Sequence, residues 1–313
     1  MNTFYSNGKL LITGEYLVLD GAKALALPTS FGQNLSIKEL NESKLIWESY
    51  TNDNELWLQV EFDLPRLRII NASFDSIKDG GYDSLAEHLQ NILLEVKKLN
   101  PDFLSSKQGF FAKSKLTFPR NWGLGSSSTL INNIAQWANV DAYQLQFNTF
   151  GGSAYDIACA HNNNPIIYQL KNKKPVAKTI SFDPLFKDQL YFVHLNKKQS
   201  SRKAIVQYKS FKGNVSAFVE EISSLSQEVV NCISLSDFEK IMKEHEHIIS
   251  SIINQNPIQQ ELFADYFGQT KSLGAWGGDF ILATGNNNTP NYFATKGYTT
   301  VIPYQEMILC VKK

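Results

Sequence analysis

Over the first sixty residues apolar side chains recur at every second position. Leu35-Ser36-Ile37-Lys38, Lys44-Leu45-Ile46-Trp47 and Leu56-Trp57-Leu58-Gln59-Val60-Glu61-Phe62 all alternate, the period of strands with one face buried. Shorter apolar runs at Leu10-Leu11-Ile12, Leu17-Val18-Leu19 and Ala24-Leu25-Ala26-Leu27 are separated by Thr13-Gly14-Glu15-Tyr16 and the Asp20-Gly21 turn signal, and Pro28 follows. The opening third therefore reads as β, arranged as a meander. The period then lengthens. Leu85, Leu89, Ile92, Leu93 and Val96 share one helical face over 84–99, and Ser84 with Glu87 has capping-box spacing. A strand at 110–118 runs into a Gly/Ser loop, behind which 130–138 reads as a helix. A strand at 190–195 follows a Pro- and Lys-bearing stretch at 171–184. Two long helices come next. The second is expected to open at Ser236 with Glu239 three residues on, to bury Phe238, Ile241, Met242, Ile248, Ile249 and Ile252, and to stop before Pro257. Strands at 280–283, 299–302 and 307–311 end the pattern. This order fits two α+β domains better than one doubly wound sheet. The boundary is placed in the 171–184 stretch, giving domains 1–180 and 181–313.

Composition narrows the function classes. With 43% hydrophobic and 19% charged residues, the 313-residue chain is an ordinary globular protein. Its 30 basic and 30 acidic side chains cancel, which argues against broad contact with nucleic acid or an anionic membrane. Cys159, Cys232 and Cys310 show no metal-ligand spacing and read as buried thiols in a reducing compartment. The residues before Leu10 form no apolar core of signal-peptide length and no stretch approaches a membrane span, so a soluble cytoplasmic protein is the expectation.

The candidate chemistry begins at Phe118-Pro119-Arg120-Asn121-Trp122-Gly123-Leu124-Gly125-Ser126-Ser127-Ser128-Thr129. Glycine permits close backbone approach to a ligand, and the first turn of a helix offers unpaired N–H groups and a positive dipole end. Such a segment suits a phosphate, its hydroxyls adding donors or a magnesium ligand. It lacks the Lys-Ser/Thr pair of the common P-loop, and a plain Gly/Ser loop with a serine cap reads equally well in isolation. Four further segments each have two readings. Lys9, before an apolar strand, points into a cleft or marks a strand end. Asp156, in Gly151-Gly152-Ser153-Ala154-Tyr155-Asp156-Ile157-Ala158, is reactive or simply a helix-start acid. Lys197-Lys198-Gln199-Ser200-Ser201-Arg202-Lys203 is an anion pocket or a solvated linker. Gly274-Ala275-Trp276-Gly277-Gly278-Asp279 is a tight turn or a backbone segment close to phosphates.

Taken together these segments resemble the GHMP kinase superfamily, which phosphorylates galactose, homoserine, mevalonate, phosphomevalonate and related small molecules. The three motifs correspond to 8–28, 119–128 and 272–279, in matching order and spacing. Gly14-Glu15-Tyr16-Leu17-Val18-Leu19-Asp20 and the run from Ser200 to Val206 are similar to phosphomevalonate kinases, the latter also to mevalonate kinases. Residues 152–158 are close to the Gly-Tyr-Asp-Ile-Ala signature of a bacterial branch. The resemblance implies a two-domain α+β fold, with an N-terminal domain like domain 2 of ribosomal protein S5 and a ferredoxin-like C-terminal domain. It implies ATP and Mg2+ as cofactors and a small anionic substrate, mevalonate or phosphomevalonate, in isoprenoid precursor synthesis, on a monomer or homodimer. Asp156 would orient or deprotonate the attacking oxygen, with Lys9 keeping it ionised. Gly123, Leu124, Gly125, Ser126, Ser127 and Ser128 would cradle ATP, and Ser127 would bind the metal. Glu15, Tyr16, Ser153, Ser200, Ser201, Gly274, Ala275, Gly277 and Gly278 would hold or shape the substrate site.

The chain departs from the family pattern in three places. Asn7 replaces the proline usual before Gly8-Lys9. Trp276 stands where a small residue is usual, and its bulk is expected to disfavour positive φ and to narrow the pocket or alter nucleotide contact. The glutamate that some mevalonate kinases place shortly before Gly151 has no counterpart among Gln144, Gln146 and Asn148. A diphosphomevalonate decarboxylase-type lyase and a non-catalytic binding protein on the same scaffold are the alternatives. Retention of both Lys9 and Asp156 favours the kinase.

Overall fold

The computed structural model describes residues 1–74, 82–197 and 201–309. They divide into two compact units, one of residues 1–8, 31–120 and 125–161, the other of 9–30, 121–124 and 162 onward.

The first unit contains most of β1 (Asn2–Leu11) and the second half of β2 (Ala24–Leu40), then β3 (Lys44–Tyr50), β4 (Leu56–Asp63), β5 (Ile69–Phe74) and β6 (Gly109–Leu116). Its helices are α1 (Tyr82–Leu99), α2 (Ser126–Ala138), α3 (Ala142–Thr149) and α4 (Tyr155–His161). The strands run in the order β5-β4-β3-β6-β2, with β1 also on β2. The expected meander thus holds for β3, β4 and β5, but β6 is inserted between β2 and β3. It pairs antiparallel with β2, Gln33 opposite Leu116, and parallel with β3, Leu45 opposite Phe110. Parallel pairing requires a crossover, and α1 supplies it. That helix starts at Tyr82, two residues before the expected cap; the Ser84 side chain lies outside the described residues.

The alternating residues on one face of this sheet, Leu45, Trp47, Val60 and Phe62, pack with Leu89, Leu93 and Val96 of α1 and Ile131, Ile134 and Ala135 of α2. Each large aliphatic or aromatic side chain buried there contributes about 1.5–3 kcal/mol. The Trp47 indole N–H donates to Ser49 Oγ at 3.0 Å, so its burial strands no polar atom.

In the second unit β7 (Ile166–Lys171) pairs with β8 (Lys174–Thr179) and with Ala24–Leu25–Ala26 of β2. This pairing is why the last passage between units falls after His161, ahead of the expected boundary at 180. A separate antiparallel sheet follows, built from β9 (Leu190–His194), β10 (Thr270–Ser272), β11 (Phe280–Thr284) and β12 (Val301–Pro303) in the order β10-β11-β9-β12. Helices α5 (Ser201–Lys209), α6 (Val215–Asn231), α7 (Leu235–Ile253), α8 (Ile258–Leu262), α9 (Thr289–Thr295) and α10 (Tyr304–Met307) complete the unit.

Local chemistry explains the remaining departures. Leu17-Val18-Leu19 is one turn of 3-10 helix, because Gly14 and Tyr16 take positive φ (+93° and +63°) and curl the chain out of β1. The α7 cap is Ser234, whose Oγ accepts from the Asp237 amide at 3.1 Å, two residues before the Ser236 expected from an equally spaced pair. The basic segment from 197 gives way to helix at Ser201. Where a strand was expected at 307–311, α10 ends at Met307 and Ile308 makes a single bridge to Thr29. Cys159 is a buried thiol and Cys232 is half-buried, both free, whereas Cys310 lies outside the described residues. Among the described residues no helix is long and apolar enough to cross a membrane.

Candidate active site

The Gly/Ser loop ends where α2 begins. Gly125 is the N-cap, at φ +92°, and no side chain caps the helix, so the first-turn amides keep their donors. The three serines have separate fates. Ser128 is buried and its Oγ donates to the Gly125 carbonyl at 2.8 Å, Ser126 is half-buried, and Ser127 is exposed. An exposed hydroxyl on an uncapped helix start suits an anion or a cation travelling with one.

Polar residues on the inner face of α2 set its orientation. Asn133 donates to the Gln33 carbonyl at 2.9 Å and accepts from Ser6 Oγ at 2.8 Å, while Asn132 donates to Ser6 Oγ at 2.8 Å. Both asparagines are buried. Arg120, just ahead of the loop, lies over the Trp57 ring at 3.7 Å, a cation–π contact.

Asp156 stands in the first turn of α4, half-buried, with Oδ1 accepting from the Ile157 amide at 3.2 Å. The chain reaches it through Gly151, Gly152 and Ala154, all at positive φ. Gln146 of α3 braces this approach, donating from Nε2 to the Gly151 carbonyl at 3.0 Å; its Oε1 is buried without a partner. Ser153 is buried beside it in sequence. Helices α2 and α4 pack against each other, so the uncapped α2 start and the aspartate sit on neighbouring helices of the first unit.

In the second unit, Lys9 secures the other end of the loop. Its amide donates to the Leu124 carbonyl and its Nζ to the Gly123 carbonyl, both at 3.0 Å. Gly123 is irreplaceable on two counts: φ is +66°, and a Cβ would stand 2.4 Å from Asp279 Cγ. Trp122 packs edge-on against Phe280, and His194 Nε2 lies 3.2 Å from the Asn121 carbonyl.

Around the Gly-Glu-Tyr turn is a buried polar cluster that sequence reasoning missed. Lys271 Nζ donates to Glu15 Oε1 at 2.5 Å and to the Ser272 carbonyl at 2.9 Å. His245 Nε2 accepts from the Gly14 amide at 2.9 Å and lies 3.3 Å from Glu15 Oε2; Glu246 Oε1 accepts from the Ser272 amide at 2.5 Å. All four side chains are at most 1% exposed. Burial, and secondarily Lys271, hold the His245 pKa well below its ordinary value, so the ring is neutral. Burial raises the Glu15 pKa against the opposing pull of Lys271, and pushes Glu246 up to about 7. A buried lysine or histidine in an amphipathic pattern carries no sequence signal that separates it from a solvated one.

The glycine-rich turn at 272–279 abuts this cluster. Gly274 and Gly277 take positive φ (+61° and +83°) but Trp276 does not, so its Cβ is tolerated. The Trp276 ring is 3% exposed and packs into an apolar cluster with Tyr16, Leu17, Tyr208, Ile222 and Ile249. Its amide donates to Tyr16 Oη at 3.3 Å, and burial pushes the Tyr16 phenol up to about 12. Trp276 is therefore a core residue of the second unit.

Of the expected site residues, Gly125, Ser126, Ser127, Ser128, Ser153 and Asp156 belong to the first unit. Lys9, Glu15, Tyr16, Gly123, Leu124, Ser201, Gly274, Ala275, Gly277 and Gly278 belong to the second. Ser200 lies outside the described residues, as does the Ser201 side chain. Among the described residues no three His, Cys, Asp or Glu side chains cluster in a way that would hold a metal. A divalent ion carried by a nucleotide needs few protein ligands, and the exposed Ser127 hydroxyl is of a kind that could serve as one.

No protein-family model matches the sequence, and no curated protein does. Solved structures match along almost the whole chain. Methanococcus jannaschii mevalonate kinase is 18% identical, with 94% of each chain covered and a TM-score of 0.66. Streptococcus pneumoniae phosphomevalonate kinase in complex with phosphomevalonate and AMPPNP is 16% identical, covering 96% of this chain and 99% of that one, with a TM-score of 0.69. Lactococcus lactis galactokinase complexed with galactose is 11% identical, covering 96% and 93%, with a TM-score of 0.65. All are GHMP kinases. The chain has the GHMP kinase fold, a mixed α+β architecture.

Proposed function

We propose that this protein is an ATP-dependent kinase of a small anionic metabolite, with mevalonate or phosphomevalonate as its acceptor. The observation that carries the reading is the uncapped start of α2 behind Gly125, on a fold shared with a mevalonate kinase, a phosphomevalonate kinase and a galactokinase. Phosphoryl transfer asks mainly for positioning and charge stabilisation, and an open set of helix-start amides offers both to a phosphate chain.

In this reading the amides from Ser126 onward bind the nucleotide phosphates. The Ser127 hydroxyl holds magnesium, which when bound draws charge from the transferring group. Asp156 orients the acceptor oxygen that attacks the γ-phosphate, or takes its proton. The resemblance gives Lys9 the role of offsetting charge on the transferring group, and in the second unit its amide and ammonium both bind the loop. Residues 274–278 line the acceptor side, and the basic segment from Lys197 favours an acceptor that already carries a carboxylate or phosphate.

The test is an acceptor screen on purified protein with ATP and magnesium, offering mevalonate, phosphomevalonate, homoserine and galactose and following ADP and carbon dioxide. ADP release dependent on mevalonate or phosphomevalonate, without carbon dioxide, is expected. Carbon dioxide alongside ADP would make the protein a decarboxylase-type lyase, and absence of both would leave a binding protein.

A further inference from the structure

The buried cluster of Glu15, Lys271, His245 and Glu246 has no part in the chemistry just described, yet it binds main chain at the Gly14 amide and at the Ser272 amide and carbonyl. Two amides of the glycine-rich turn are held by side chains: Ser272 by Glu246 and Trp276 by the Tyr16 hydroxyl. Lys271 ties the Ser272 carbonyl to Glu15, and His245 takes the Gly14 amide one residue before that glutamate. The Gly14–Tyr16 turn, helix α7 and strand β10 are thus joined through side chains with almost no access to water.

Stability does not account for such a cluster. A buried ion pair generally stabilises no more than a well-packed apolar pair of the same volume. This one also leaves Glu15 Oε2, His245 Nδ1, Glu246 Oε2 and Ser272 Oγ buried without partners, each a cost. What charged and directional groups supply, and apolar ones cannot, is one defined placement of the main chain they bind.

We propose that Glu15, Lys271, His245 and Glu246 are positioning residues, which hold the 272–278 turn in the single conformation used for phosphoryl transfer and touch neither nucleotide nor acceptor. The link to phosphoryl transfer rests on the kinase reading; the mechanical role does not. Glu15, carried by the resemblance as a substrate contact, acts here through Lys271.

Hydrogen exchange read by mass spectrometry tests the mechanical role directly, because the network holds the Ser272 amide and carbonyl at the start of the turn. Three variants are compared with wild type: Glu246→Leu, Glu246→Gln, and Glu15→Met/Lys271→Met, which removes both charges and leaves neither unpaired. Exchange over 272–278 is expected to rise at least about tenfold in Glu246→Leu and in the double variant, with β9 and β11 unchanged. Glu246→Gln should retain protection, since its carbonyl still accepts from the Ser272 amide. In a wild type that passes the acceptor screen, Glu246→Leu and the double variant should lose about 10–100-fold in kcat with the KM for ATP little changed, and Glu246→Gln should retain wild-type kcat. Unchanged exchange at 272–278, or an equal rise throughout the second unit, would overturn the proposal. A wild type inactive on all four acceptors would remove the kinase reading and leave the exchange result to decide the mechanical role.

Discussion

Single residues carry the sharpest consequences. Gly123 has no substitute, because alanine there would combine a left-handed φ, costing about 1–3 kcal/mol, with a clash against Asp279. Gly123→Ala is expected to lower the melting temperature and weaken ATP binding together, read by calorimetry; a variant with wild-type values in both would show that the loop tolerates rearrangement. Asp156→Asn removes a proton acceptor while keeping volume, so kcat should fall by about 10²–10⁴ with ATP affinity little changed. Lost nucleotide binding would instead point to a structural role at the start of α4. Ser127→Ala should raise the magnesium concentration needed for nucleotide binding, whereas Ser128, whose hydroxyl is bound to Gly125, should matter through the fold alone. Lys9, Asp156 and the glycines could be nominated from the sequence because the order and spacing of their motifs carry the resemblance. Lys271, His245 and Glu246 could not, because they acquire meaning only from neighbours distant in sequence.

At the level of the element, helix ends and buried polar faces decide what hydrophobic period leaves open. The α7 pattern fits a start at Ser234 or Ser236, since both precede an acid by three residues, and cap geometry selects Ser234. Ser234→Ala is expected to cost about 1 kcal/mol in urea unfolding, and an equal loss in Ser236→Ala would contradict that assignment. Helix α2 carries Asn132 and Asn133 inward, against the amphipathic rule, and uses them to grip Ser6 and the Gln33 carbonyl. Asn133→Leu should cost about 1–3 kcal/mol by leaving those groups unpaired. It should also weaken ATP binding without touching the ligand, because the orientation of the helix start is what it guards. A variant as stable as wild type would show that apolar packing alone seats the helix. The parallel pairing of β3 with β6 belongs to the same level. Alternation marks each strand, but its neighbours are chosen by the α1 crossover.

For the whole molecule the buried cluster has a cost that depends on pH. Glu246 titrates near 4.5 when unfolded and at about 7 in the fold. Its raised value means that the folded state holds a proton the unfolded chain releases, so this contribution to stability is complete below pH 4.5 and is lost as pH rises through 7. Glu246→Gln, which cannot ionise, should therefore gain on wild type between pH 5 and pH 8, by an amount on the order of 3 kcal/mol. Parallel stability curves for the two proteins would refute this. The sequence by itself determined the α+β class, the strand and helix periods, the three glycine-bearing motifs and their order, since these depend on local backbone preference and on spacing within one segment. Tertiary structure alone decided the position of β6 in its sheet, the burial of Trp276 in the second unit's core, and the conversion of Glu15 from a free carboxylate into one end of an ion pair with Lys271. Each of those outcomes depends on which remote side chains exclude water from the site, and a linear order of residues does not contain that quantity.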